Sequence, residues 1–269
     1  MSEIHPSAVI HPSAVIHPSA VIHPDAAIGD DCEVGPYCII GRHVTLGQAN
    51  RLHSHVVIDG HTDIGIGNEF FPFASIGLKT QDLKWRGGTT WTRIGNHNTF
   101  RENVTVHSAT GDGEATVMGS DNHILAYSHV AHNVLLGNHV VLSNNGTLAG
   151  HVIVEDYAIV GGLSAVHQFC RLGKMSILGG CTKVVSDVAP YMMVDGNPAR
   201  TRAVNKLGLE RNGVTAETRE VIRQVHRLYF RKGLTGANAV EVIRADIPQL
   251  PEVEHFLSFI ETSERGVTR

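Results

Sequence analysis

IHPSAVIHPSAVIHPSAVIHPDAAIG, residues 4–29, decides the fold. The hexapeptide IHPSAV starts at Ile4, Ile10 and Ile16 and drifts to IHPDAA at Ile22. The same phase then places Ile28, Val34, Ile40, Leu46, Leu52, Ile58, Ile64, Phe70 and Ile76. It resumes at Ile94, Phe100 and Val106, and after a second gap runs from Met118 through Ile124, Val130, Leu136, Leu142 and Leu148 to Val184. All of these anchors leave the same remainder on division by six. Small or β-branched side chains recur four residues after the anchor, as at Ala8, Ala20, Cys32, Cys38, Val134 and Val152. A repeat of this length is the signature of a parallel β-helix, in which each hexad gives one short strand and one turn. Three hexads, about 18 residues, close one triangular coil, and the stacked anchors form an aliphatic column. The phase from Ile4 to Val184 predicts an all-β prism of about ten coils.

Two gaps interrupt the phase. Asp82 and Gly88 occupy anchor positions in LKTQDLKWRGGTTWT, and Asp112 does so in HSATGDGEA. Both are expected to be loops leaving the prism, where functional residues concentrate. The first is read as functional and the second as a neutral insertion. Beyond Val184 the rhythm ends near Pro190 and Pro198, which divides the chain into a β-helical unit, 1–190, and a helical unit, 191–269. TAETREVIRQVHRLYFRKG predicts a helix capped by Thr215, with Val221, Ile222, Val225, Leu228 and Tyr229 on one stripe. Further helices are expected over 238–247 and 253–263, packed on the prism or on a partner subunit.

The bulk numbers exclude several classes. A net charge of −4 gives no footprint for nucleic acid. No apolar run reaches the length of a membrane span and no signal peptide is visible, so a cytoplasmic protein is expected. Cys32, Cys38, Cys170 and Cys181 form no CxxC pair, which suits a reducing compartment. Eighteen histidines is a high count, but His5, His11, His17 and His23 belong to the repeat and read as exposed turn residues.

Of the five histidines in NHILAYSHVAHNVLLGNHVVLSNNGTLAGH, residues 122–151, three carry the argument: His129, His132 and His151. The coil length acts as a ruler. It stacks His132 under Gly150 and Gly150 under Gln168, with Ala131, Ala149 and His167 in the next column. A histidine facing a glycine backbone N–H has chemical content: the imidazole can take a hydroxyl proton, and the amide can stabilise an oxyanion. Together they suit acyl transfer without a covalent intermediate. Three imidazoles at a zinc ion are the chemical rival, as in hexapeptide-repeat carbonic anhydrases; no metal is assigned here.

Several segments together resemble the UDP-N-acetylglucosamine O-acyltransferases that begin lipid A biosynthesis. They are SHVVIDGHT (54–62), QDLKW (81–85), FRENVTVH (100–107), SHVAHN (128–133), NNGTLAGHV (144–152), VGGLSAVHQFC (160–170) and GGC (179–181). The resemblance implies a left-handed β-helix, against the usual crossover hand. It implies a homotrimer that moves a 3-hydroxyacyl chain from acyl carrier protein, carrying phosphopantetheine, to the 3-hydroxyl of UDP-N-acetylglucosamine, with no cofactor of its own. By that resemblance His132 is the general base and Gly150 the oxyanion donor. Gln81, Asp82, Lys84 and His107 match sugar contacts, and His129, His151 and His167 line the sugar and pantetheine pocket. Gln168 matches a phosphate contact, Asn205 and Arg211 match uridine and phosphate contacts, and Gly180 matches the position that sets acyl-chain depth. Two positions depart from the family pattern: Asn133 stands where an aspartate commonly follows the base, and Asn212 where a second arginine is usual. The wider alternative is a coenzyme A-dependent sugar acetyltransferase, a class without the combined QDLK and AVHQF segments.

Overall fold

The computed structural model describes residues 3, 4 and 8–269, so His5, read above as a turn residue, lies outside the described residues. The hexads form three parallel sheets of ten, nine and nine strands, visiting the three faces in strict rotation, and a C-terminal hairpin brings the third sheet to eleven. On the first face Val21–Ile22 pairs with Ile39–Ile40, then Val57–Ile58 and Ser75–Leu78; above the loops, His129–Val130 pairs with Thr147–Leu148 and Ala165–Val166. The anchors point inward, and Ile22, Ile40, Ile58, Ile76, Val106, Val130, Leu148, Val166 and Val184 form one buried file. Each such side chain contributes roughly 1.5–3 kcal/mol by burial.

The period survives both gaps because the insertions are multiples of the hexad. Residues bonded across adjacent coils lie 18 apart for Asn50 and Asn68, 30 apart for Asn68 and Asn98 across the first loop, and 24 apart for Asn98 and Asn122 across the second. These four asparagines are buried in one corner, each Oδ1 accepting a backbone N–H from the coil above. They take the position that carries small or β-branched residues elsewhere. The ladder gives the turn amides of that corner buried partners, as an interior polar group requires.

In the hexads glycine is not the usual left-handed turn residue: Asp31, Tyr37, His55, Phe73, Tyr127, Asn133, His151 and Phe169 all have φ between 54° and 65°. Glycines after the anchor serve close approach instead. A Cβ on Gly35 would stand 2.5 Å from the His53 carbonyl oxygen.

The helical tail follows its sequence signals. Thr215 caps α2 (Ala216–His226), accepting the Thr218 N–H, and Ile222, Val225 and Tyr229 are buried. A π-helical turn, Arg227–Arg231, extends it. α3 (Gly236–Asp246) and α4 (Pro251–Glu261) lie where helices were expected. Two elements were not foreseen: a hairpin of Met192–Asp195 with Arg200–Val204, which continues the third sheet, and the short α1 (Lys206–Arg211). The tail packs on its own prism through Met175, Ala189, Tyr191 and Met192, and Arg171 lies over the Phe259 ring.

Candidate functional site

Every turn from the first face to the second emerges at one corner of the prism. Both insertions leave there: 79–90 follows Ser75–Leu78, and 108–114 follows Thr105–His107. The turns holding His132, Gly150 and Gln168 sit at the same corner, one coil above another. The ladder confirms the stacking, since the N–H of His151 donates to the His132 carbonyl at 3.1 Å and that of Phe169 to the Gly150 carbonyl at 3.2 Å. Site and loops are therefore brought together by the rotation of the coil.

The His132 ring lies directly against Gly150. A Cβ on Gly150 would fall 2.4 Å from both Cε1 and Nε2 of His132, so only glycine leaves room for the imidazole. The Gly150 N–H has no acceptor among the described residues. At this hexad position the ladder supplies no carbonyl; elsewhere a side chain serves, as when Asp156 Oδ1 takes the Asn138 N–H and Asn138 Oδ1 that of Ser120. An imidazole nitrogen and an unclaimed amide thus share one small space.

Around His132 the other candidates close in. Asp82 Oδ2 stands 3.8 Å from His132 Nε2. Asp82 is fixed by its own loop, accepting the Lys84 N–H at 2.9 Å while its N–H donates to Thr80 Oγ1. That Lys84 amide, opposed by burial and assisted by the His132 charge, holds the Asp82 carboxyl below its usual range. The His151 ring meets His132 edge-on at 5.2 Å and stacks on Phe169 at 4.7 Å. His107 and His129 meet edge-on at 5.1 Å, and His129 Nδ1 lies 2.7 Å from Thr105 Oγ1. Burial, reinforced by the charges of His107 and His132, lowers the His129 pKa to about 4. Burial also lowers His107 and His151, with His132 as the next cause for each. A cluster of imidazoles that can carry little charge between them is suited to accepting one proton at a time.

Asn133, the departure beside the base, has a full set of partners. Its Oδ1 accepts the Thr110 N–H at 3.0 Å and lies 3.0 Å from His132 Nδ1. Its Nδ2 donates to Glu114 Oε2 at 2.7 Å, and its N–H donates to Thr116 Oγ1. Thr110 and Glu114 come from the second loop, so that loop belongs to the site rather than being a neutral insertion. Sequence reasoning missed them. The signal was present in the insertion lengths, because whole hexads added after a first-face strand must emerge beside His132.

The remaining candidates are dispersed. Gln81 and Lys84 are exposed in the first loop, and His167 and Gln168 are exposed on the third turn of the corner, with His167 Nδ1 near the Gln168 carbonyl at 3.1 Å. Gly180 lies on a different corner, from third face to first, where a Cβ would meet only the Gly162 carbonyl at 3.5 Å. Asn205 is buried as the cap of α1, accepting the Gly208 N–H and donating to the Met175 carbonyl. Arg211 is exposed in the last turn of α1, and Asn212 caps that helix, donating to the Gly208 carbonyl. Among the described residues no three His, Cys, Asp or Glu side chains converge in a metal-binding arrangement. No described helix is long and apolar enough to cross a membrane. An apolar groove of about 620 Å³ runs along Val15, Val34, Arg51 and Leu52 toward the N-terminal end and shares no residue with the site.

Residues 187–268 match the family model described as UDP N-acetylglucosamine O-acyltransferase, domain 2, and residues 7–42 match that of the bacterial transferase hexapeptide. The acyl-[acyl-carrier-protein]–UDP-N-acetylglucosamine O-acyltransferase of Synechocystis sp. is 41% identical over 77% of this chain and 75% of its own. That of Ectopseudomonas mendocina is 44% identical over 75% and 79% respectively. Among solved structures, LpxA of Acinetobacter baumannii superposes with a TM-score of 0.84 at 42% identity, over 97% of this chain and 100% of that one. LpxA of Bacteroides fragilis, a UDP-N-acetylglucosamine acyltransferase, gives 0.88 at 36% identity over the same shares.

Proposed function

Because the chain belongs to the family of acyl-[acyl-carrier-protein]–UDP-N-acetylglucosamine O-acyltransferases, we propose that His132 is the general base of that reaction and the Gly150 N–H its oxyanion donor. The enzyme moves an acyl chain from acyl carrier protein to UDP-N-acetylglucosamine, the first step of lipid A biosynthesis. In the proposed mechanism the sugar 3-hydroxyl oxygen attacks the thioester carbonyl while its proton passes to His132 Nε2. Negative charge on the carbonyl oxygen is met by the Gly150 amide, and collapse breaks the C–S bond. The proton then moves from Nε2 to the leaving sulfur, releasing the carrier thiol. An unclaimed amide against the base ring carries this reading, because that pairing has no role in the coil itself. Asp82, beside Nε2, is suited to stabilising the imidazolium while it exists.

The other assignments are proposals of the same kind. Gln81, Asp82, Lys84 and His107 hold the sugar, His129, His151 and His167 line the pocket, and Gln168, Asn205 and Arg211 receive the uridine diphosphate. The division of candidates between two corners and the tail supports a homotrimer with its sites between prisms. Residues 1–190 act as the acyltransferase unit and 191–269 as its appendage, in the cytoplasm. A 3-hydroxyacyl donor is expected.

The test is an acyl-transfer assay with UDP-N-acetylglucosamine and a panel of acyl carrier protein thioesters. His132→Ala should fold normally and lose at least about 10³-fold in turnover, within the range for removing a general base; near-normal turnover would sink the assignment. Gly180→Met should shift donor preference to shorter chains, and an unchanged preference would remove Gly180 from the acyl groove.

A further inference from the structure

The orientation of the Asn133 amide is settled by its neighbours. The Thr110 N–H can only donate and the Glu114 carboxylate accepts, so the oxygen must face Thr110 and the nitrogen must face Glu114. That oxygen is the atom 3.0 Å from His132 Nδ1. An acceptor there calls for a proton on Nδ1, which leaves Nε2 bare. Turned over, the amide would present Nδ2 to the ring and place the proton on Nε2, the wrong nitrogen for a base at that position.

We propose that Glu114 is a positioning residue that acts through Asn133 to hold His132 in the tautomer with a bare Nε2. The inference rests on His132 being the base. No proton travels along the chain of groups: Glu114 orients the amide, the amide orients the imidazole, and Nε2 alone exchanges a proton with substrate. The charges facing His132 are Asp82 from the first loop, Glu114 from the second, and Lys84 nearby. His151 faces it from the coil above, and His107 and His129 from the first face. Glu114 is the one of these that hydrogen-bonds Asn133, whose Oδ1 meets Nδ1. Glu114 also accepts the Gly111 N–H at 3.0 Å, so a purely structural role must be separated from the tautomer role.

A double-mutant cycle on the full enzyme separates them. Glu114→Ala should lower kcat about tenfold with the KM for UDP-N-acetylglucosamine little changed. Glu114→Gln, which keeps an acceptor for both donors, should recover to within about threefold of the parent. In an Asn133→Asp background the carboxylate at 133 fixes Nδ1–H directly, so adding Glu114→Ala should cost nothing. Equal loss in both backgrounds would make Glu114 only a loop strut, and no loss in either would remove it from catalysis; both overturn the proposal. Nitrogen-15 spectra of histidine-labelled enzyme, with His132→Ala to assign the signal, should show the Nδ1–H form in the parent and a mixture in Glu114→Ala. An unchanged tautomer in Glu114→Ala would also overturn it. If His132→Ala itself retains turnover, the base assignment fails first, and that result is distinguishable from failure of the Glu114 proposal alone.

Discussion

The corner between the first and second faces occurs near the N-terminus as well as at the site, and the two differ at one position of the hexad. Two residues after the anchor the early turn has Pro24, while the site turns have His132, Gly150 and Gln168. Proline has no N–H and fixes φ, so it suits a position where the ladder offers no acceptor. The early corner closes itself further, with the Asp25 N–H on His23 Nδ1 at 3.2 Å and Arg42 on Asp25 at 2.8 Å. The site corner leaves that position open, with an amide that the coil does not use. The early turn thus removes its spare amide at Pro24, and the site turns keep theirs beside His132.

The comparison breaks most visibly at Gly150. Gly150→Ala puts a Cβ 2.4 Å from His132 Nε2, so the imidazole must move. Turnover is expected to fall about 10²- to 10³-fold, the scale of moving the proposed base out of register with the proposed oxyanion donor. Circular dichroism should remain that of the parent. Retention of most activity in the acyl-transfer assay would mean that the ring and amide do not work as a pair.

Acid should distinguish the two regions next. The His129 pKa is lowered to about 4, so the folded protein keeps this ring neutral where the unfolded chain, near 6.5, takes up a proton. The unfolded state binds more protons below pH 6.5, so stability falls as the pH drops from 6.5 to 4 and levels off below that. For His129 the loss is at most about 3 kcal/mol, reduced by solvent screening, and His107 and His151 add in the same direction. Thermal unfolding followed from pH 7.5 to 4 should show that decline, and His129→Gln should flatten it. An equal decline in His129→Gln would place the acid sensitivity elsewhere.

How much of this was readable follows from what each feature depends on. Anchors such as Ile28, Val130 and Val184 depend only on phase, and phase survives insertions of whole hexads. His132 over Gly150 depends on phase and coil length, so it too was legible. The contacts of Asn133 depend on the path of residues 108–114, which no period describes, and Glu114 stayed hidden. The left-handed turns were hidden for a different reason. Asn133 and His151 take φ of 60° without being glycine, because stacking and the ladder hold a conformation that local preference disfavours. The Asn50, Asn68, Asn98 and Asn122 ladder was masked because its spacing changes from 18 to 30 to 24.

The smallest effect is expected at the early turns, where the repeat supplies its own partners. Ser19 Oγ accepts the Tyr37 N–H from the next coil at 3.1 Å and lies 2.9 Å from His17 Nδ1, whose ring also accepts the Ser19 N–H. Ser13 repeats the arrangement with Asp31 and His11. This gives the HPS triplet a physical reason: histidine closes its own turn, and serine satisfies a left-handed residue one coil on. Since Ser19 is only partly buried, water can replace its hydroxyl, and Ser19→Ala should cost about 1 kcal/mol or less. Turnover should be unaffected, because the Ser19 turn shares no residue with the candidate site. A change in kcat in Ser19→Ala, with stability held, would mean that the N-terminal coils take part in the reaction, and the distinction between early and late turns would fail.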